Sequence, residues 1–198
     1  MTLVIVGLGN PGKEYEKTRH NAGRSAAELL ARSEGFGEFV YNKKANALVS
    51  KGTIEKESAT LVLPETFVNL SGKAVSAFIK SPKAAKNLLV IHDDLDLPLG
   101  TIKMVFGRGS GGHKGVENVM RALKTQDFAR IRIGISGVGK KNQAKKVQGD
   151  EKVIKQVIGK WKPAEEAMFK KVLKKVAEVV HLYATSGIAP ATQFANTR

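Results

Sequence analysis

Short apolar runs alternate with amphipathic stretches along this chain. Leu3–Val6 is apolar throughout and runs into glycine, which predicts a buried strand. From Asn21 to about Arg32, Ala22, Ala26, Leu29 and Leu30 recur at helical spacing, and the pattern stops near Gly35. Ala45–Val49 and Thr60–Leu63 read as strands separated by a polar turn. Ser71 is placed to cap a helix carrying Val75, Phe78 and Ile79, with Pro82 beyond its end. Leu88–Ile91 predicts another buried strand, with His92 at its end, and Ile102–Phe106 predicts a further one. A glycine-rich loop follows over Gly107–Gly115, then helical spacing over Val116–Leu123. Ile131–Ile135 alternates Ile with Arg and Gly, a strand with one polar side. Val138–Gln148 is a Lys-rich loop and Val153–Ile158 a short helix. Pro163 suits the first turn of a long helix reaching about Thr185. Strands alternating with helices, without a repeat or a linker, imply an α/β layer architecture. A single domain over 1–198 is the expected organisation.

Composition narrows the chemistry. There is no cysteine, so disulfides, thiolate zinc sites and a Cys nucleophile are all excluded. No apolar run approaches the roughly 18 residues that span a membrane. The N-terminus enters a strand pattern at once and shows no leader-like segment. The formal net charge is +15, which points to a polyanionic partner, most simply nucleic acid. The charge is uneven. Val138–Lys175 holds twelve Lys against Asp150, Glu151, Glu165 and Glu166, about half of the whole excess. A solvated helical face would explain such lysines individually, but not so one-sided a balance.

Two glycine loops imitate nucleotide sites. Gly7-Leu8-Gly9-Asn10-Pro11-Gly12 fits G-x-G-x-x-G after a strand, but no helix follows directly and no acid sits at the end of a second strand. Gly107–Gly115 has the order Gly112-His113-Lys114-Gly115, not the Gly-Lys-Ser/Thr of a P-loop. The acids of His92-Asp93-Asp94-Leu95-Asp96 stand at a strand end, where α/β sheets bind ligands. They allow two readings. One is a metal site using Asp93, Asp94, Asp96 and a His. The other is a His–Asp pair that activates water, with the carboxylate fixing the tautomer of the base. His181, inside the long helix, reads as structural or surface.

Gly7–Gly12, Tyr15, Thr18-Arg19-His20-Asn21-Ala22-Gly23, Thr66-Phe67-Val68-Asn69-Leu70-Ser71-Gly72, His92–Asp96 and Gly111-Gly112-His113 fall in order along the chain. Together they resemble the bacterial-type peptidyl-tRNA hydrolase family, from Val4 to about Gly137. The resemblance implies a mixed, twisted sheet flanked by helices. It implies hydrolysis of the ester between a peptide and the 3′-terminal ribose of tRNA, without metal or cofactor. By position it makes His20 the general base and Asp93 its orienting partner. It assigns Asn10, Asn69, Tyr15, Phe67, Val68, His113 and Lys114 to the substrate cleft. Lys103 and Arg132, with Arg108 as a compensating cation, would meet acceptor-stem phosphates, and the Lys-rich Val138–Lys146 loop would lie over the cleft mouth.

Two positions depart from the family pattern. Val68 stands where Met is common, and Lys114 stands where Asn is usual. Lys114 can donate a hydrogen bond but cannot accept one. It could serve a phosphate or the developing oxyanion, or mark a non-catalytic RNA-binding branch of the same fold, which is the alternative reading. A nucleotide- or metal-dependent enzyme is the third. The resemblance implies a monomer with no membrane partner, in the cytoplasm or alternatively the mitochondrial matrix.

Overall fold

The apolar run Leu3–Val6 becomes the central strand, β1 (Leu3–Gly7), of a computed structural model that describes residues 2–139 and 143–197. Both neighbours of β1 are parallel to it: β4 (Glu57–Pro64) on one side and β5 (Leu88–Pro98) on the other. β3 (Ala47–Ile54) and β2 (Val40–Asn42) extend the sheet antiparallel beyond β4. Beyond β5 lies the parallel β7 (Ala129–Ser136), and then β6 (Ile102–Phe106), antiparallel at the edge. The order is β2-β3-β4-β1-β5-β7-β6, one mixed sheet of seven strands.

Apolar side chains alternate between the two faces of this sheet, and each face is covered by helices. Ile5, Leu89, Ile91, Ile131 and Ile133 pack against α1 (Ala22–Ser33), α5 (Pro163–Ser186) and α6 (Ile188–Asn196). Val6, Val90 and Phe128 pack against α2 (Gly72–Ser76) and α3 (Lys114–Leu123). α4 (Asp150–Ile158) buries no residue fully, though its Val157 packs against the first of these layers. The exposed backbone of edge strand β6 is partly covered by a side chain. Asn196 Oδ1 accepts from Met104 N at 2.9 Å and Asn196 Nδ2 donates to Met104 O at 3.3 Å. Among the described residues no helix is long and apolar enough to cross a membrane.

Several expectations need correction. Ser71 does not cap a helix: its own backbone is helical and its hydroxyl donates to Val68 O at 2.8 Å. The free N–H of Gly72 is satisfied by Asn118 Oδ1 of α3 instead, at 2.7 Å. α2 ends at Ser76, well short of the Ile79 anticipated. The first hairpin strand begins at Ala47 rather than Ala45 and runs on to Ile54. α6 had no counterpart in the sequence reading. The most consequential difference is β5. It does not stop at Ile91 but continues through the acidic residues to Pro98, because β7 pairs with it residue by residue as far as Asp94↔Gly134.

β1 stops earlier. Its last residue, Gly7, pairs with Ile91, so β5 beyond Ile91 has no strand on that flank. Chain from both helical layers fills the gap. α1 is drawn tightly against it: Leu8 N donates to Ile91 O at 3.0 Å and Arg24 N to Leu8 O at 2.9 Å. Only glycine allows this approach at position 23, since a Cβ there would lie 2.1 Å from Ile91 O and 2.8 Å from Leu8 O. Gly→Ala inside a helix ordinarily stabilises. Here Gly23→Ala is expected to destabilise by about 1–3 kcal/mol through overpacking, measured as a lowered urea midpoint. A raised midpoint would show that the close approach is not a constraint.

Candidate active site

The gap beside β5 holds two imidazoles and one carboxylate. Asp93 is 2% exposed and points from β5 into the space that β1 vacates. His20 comes from the 3-10 turn Arg19–Asn21 that leads into α1. Its Nδ1 lies 2.8 Å from Asp93 Oδ1. His113, the N-cap of α3, approaches from the other layer and sets Nε2 3.0 Å from the same oxygen. His113 Nδ1 accepts from Val116 N at 3.2 Å, so its proton sits on Nε2 and is donated to Asp93. An ionised Asp93 only accepts, so a neutral His20 carries its proton on Nδ1. His20 Nε2 is then a bare lone pair, and it makes no hydrogen bond among the described residues.

Electrostatics keep this arrangement in place. Burial alone would raise Asp93, but the His20 and His113 charges and their hydrogen bonds outweigh it and hold the carboxyl far below its usual range. Burial works against a His20 imidazolium, yet Asp93's charge and hydrogen bond together raise His20 above its ordinary value.

The amides expected to hold substrate lie on the adjoining loops. Asn10 is buried just after β1, and Asn21 grips its main chain from both sides. Asn21 Oδ1 accepts from Asn10 N at 2.8 Å, and Asn21 Nδ2 donates to Asn10 O at 2.9 Å. Asn10 Oδ1 accepts from Val68 N at 2.8 Å, which ties the first glycine loop to the 3-10 turn Val68–Leu70. That bond leaves the Asn10 Nδ2 hydrogens as the donors not used internally. Asn69 is exposed on the same turn. Phe67 is 56% exposed and meets Tyr15 edge-to-face, with ring centroids 6.2 Å apart. Neither ring is core.

A metal reading fits less well. Asp93 and Asp94 alternate across the sheet, as strand neighbours must. Asp94 bonds Arg132 through Oδ2 and caps Asp96 N through Oδ1, while Asp96 is exposed. The anticipated acid cluster therefore does not form. His20, Asp93 and His113 do bring ligand atoms within 4.8 Å of one another. Those atoms are already joined by N–H···O bonds to one carboxylate oxygen.

The family model for peptidyl-tRNA hydrolase matches residues 4–198. The chain belongs to the peptidyl-tRNA hydrolase family. It is similar to the peptidyl-tRNA hydrolase of Prochlorococcus marinus, 40% identical over 195 residues, covering 98% of this chain and 93% of that one. It is 38% identical over 190 residues to that of Mycobacterium tuberculosis, covering 96% and 94%. The crystal structure of peptidyl-tRNA hydrolase from Acinetobacter baumannii superposes with a TM-score of 0.87 at 33% identity, covering 98% and 94%.

The basic residues singled out on the strength of the family resemblance are dispersed. Lys103 and Arg132 are direct partners across β6 and β7. Arg132 is half-buried and bonded to Asp94, whereas Lys103 is exposed. Lys103 borders a cleft of about 1190 Å³ with Leu97, Lys146 and Met168, and none of His20, Asp93 or His113 lines it. Arg108 is exposed on the second glycine loop, and Lys114 is exposed as the first residue of α3. Of the Lys-rich loop, residues 140–142 lie outside the described residues.

Sequence reasoning missed Asn21, Arg19 and Arg130. Asn21 adjoins His20 in the motif and is its natural extension. Arg19 N donates to Gly159 O at 3.0 Å, and Arg19 Nη2 bonds Glu165 Oε2 at 2.8 Å across the chain. Its guanidinium lies 4.7 Å from the centroid of the Trp161 ring. No local signal announces partners so distant. Arg130 begins the polar side of β7 but is buried.

Asp93 raises His20, and the general-base role that the resemblance implies for His20 requires it unprotonated. Activity is therefore expected to fall as pH falls through a midpoint above the ordinary His value of about 6.5, read from kcat/KM against pH, which reports the free enzyme. Asp93→Asn should abolish the raised midpoint and reduce kcat by roughly 10³–10⁴. A variant with the wild-type profile would remove Asp93 from the mechanism.

Proposed function

We propose that this chain hydrolyses the ester joining a peptide to the 3′-terminal ribose of tRNA, with His20 as the general base. The observation that carries the reading is His20 Nε2, left free while Nδ1 is held by a buried carboxylate. Nε2 takes a proton from water, and the water oxygen bonds to the ester carbonyl carbon. The tetrahedral oxyanion collapses, the bond to the ribose oxygen breaks, and that oxygen takes the proton back from Nε2. An ester needs no stronger nucleophile than activated water. His113 does not touch the reacting atoms in this scheme. It shares the load on Asp93 and fixes its position.

Asn10 and Asn69 hold the peptide main chain and the ester, since an amide offers both donor and acceptor. Tyr15 and Phe67 line the cleft, whereas Val68, 6% exposed, packs in the apolar core beside α3 instead. Lys103, Arg108 and Arg132 meet tRNA phosphates, contacts that set affinity without reading sequence. The enzyme works as a monomer in the cytoplasm, as its family resemblance implies.

The direct test is release of peptide from peptidyl-tRNA. Wild type should turn over, His20→Ala should not, and the variant should still bind tRNA. In the same assay KM should rise steeply with salt, since each neutralised phosphate contributes a slope of about 0.7–0.9. Tight tRNA binding by a wild type that releases no peptide would favour the non-catalytic RNA-binding reading.

Lys114 is assigned to the oxyanion or an adjacent phosphate, as the ammonium that opens α3. Lys114→Asn is expected to leave kcat within about tenfold, a shift of about 1.4 kcal/mol. A gain of orders of magnitude would mark Lys114 as a defect rather than a replacement.

A further inference from the structure

One buried cation abuts the imidazole cluster without a hydrogen bond to any carboxylate. Arg130 of β7 is 2% exposed. Its Nη1 donates to His92 Nε2 at 3.0 Å, and its Nη2 donates to Arg108 O at 3.0 Å and Gly109 O at 2.6 Å. His92 is fully buried on β5, and its Nδ1 donates to Asp93 O at 2.7 Å. Its ring meets that of His113 with centroids 4.7 Å apart, and His113 meets His20 at 5.2 Å.

These contacts leave His92 one protonation state. Arginine has five donors and no acceptor, so His92 Nε2 must present its lone pair to Arg130. The proton of His92 is then on Nδ1, aimed at the Asp93 carbonyl. A second proton on Nε2 would face the guanidinium. The charged and titratable groups around His92 are Asp93 and Asp94 on its own strand, Arg130 and Arg132 on β7, His113 at α3 and His20 beyond it. Burial, with the charges of His113 and Arg130, pulls His92 well below its ordinary value. The same guanidinium anchors two carbonyls of the glycine loop that ends in His113.

We infer that Arg130 is a positioning residue: by donating to His92 and to the glycine loop, it keeps His92 from competing with His20 for a proton. The inference rests on His20 being the general base. It adds that a neighbouring imidazole, buried against the same aspartate, is barred from competing for the proton.

Histidine ring-nitrogen NMR on the unmodified protein tests this without substrate. His92 should keep its proton on Nδ1 and show no titration between about pH 5 and 8, while His20 titrates. Titration of His92 in that window would overturn the inference. In Arg130→Met, burial and His113 still hold His92 down, but its midpoint should rise toward that window, and kcat should fall at least about tenfold with a changed acid limb. Arg130→Lys restores one donor and should partly lower the His92 midpoint again; it carries the same readout if the Met variant does not fold. A folded Arg130→Met protein with an unmoved His92 midpoint and the wild-type pH profile would also overturn it. Because the His92 signal needs no turnover, these results stay separate from the fate of the ester-hydrolysis reading, which His20→Ala decides.

Discussion

Everything in the site hangs on one oxygen. Asp93 Oδ1 accepts from His20 and His113 at once, and the two imidazoles come from opposite helical layers. A buried carboxylate is costly unless it is paired and hydrogen-bonded. Removing one partner of a buried pair typically costs about 3–5 kcal/mol, because it leaves a charge uncompensated. The two layers are therefore held in register at the point where chemistry is needed. Orientation of the His20 imidazole is a consequence of satisfying this one group.

Strand length creates the opening in which that can happen. Inside a fully paired parallel sheet, Asp93 would face apolar helix on one side only. β1 stops at Gly7 while β5 continues, so the flank beyond Ile91 is open to both layers. It is also where the chain order divides around β1, with β4 on one side and β5 on the other. Ligand sites in open α/β sheets form at such positions, outside the carboxyl ends of the strands. Gly23 then lets α1 sit hard against the strand ends, which sets the distance from His20 to Asp93.

Much of this was legible in the residues, but not its extent. Ile102–Phe106 was readable to the residue, because its alternation and the glycines beyond it leave one solution. The long helix from Pro163 was equally clear. β5 was misread because His-Asp-Asp-Leu-Asp has the polarity of a loop. What keeps it in the sheet is pairing with β7 together with compensation of Asp93 and Asp94 by partners far away in sequence, while Asp96 is left in solvent. Ser71 was misread for a related reason. Its hydroxyl turns back on the preceding turn while Asn118 performs the cap from another helix. The His20–Asp93 pair came from the order of motifs, whereas the double use of Asp93 and the role of Arg130 are tertiary facts with no local pattern.

Charge and chemistry are kept apart in this molecule, and they respond differently to the solvent. Lys170, Lys171 and Lys174 stand exposed on α5, where about 0.15 M salt screens charges beyond roughly 8 Å. The His20–Asp93–His113 network is buried and feels that screening far less. Holding a polyanion and moving a proton are thus separable tasks for this fold. They meet at one junction. Glu165, in the first turn of the lysine-rich helix, caps that helix through Lys162 N at 2.8 Å and grips Arg19 with the same oxygen. Trp161 packs beneath the guanidinium and stacks on Phe169 with centroids 4.5 Å apart. Arg19 precedes His20 directly, so the turn that carries the base is fastened to the element that carries the charge.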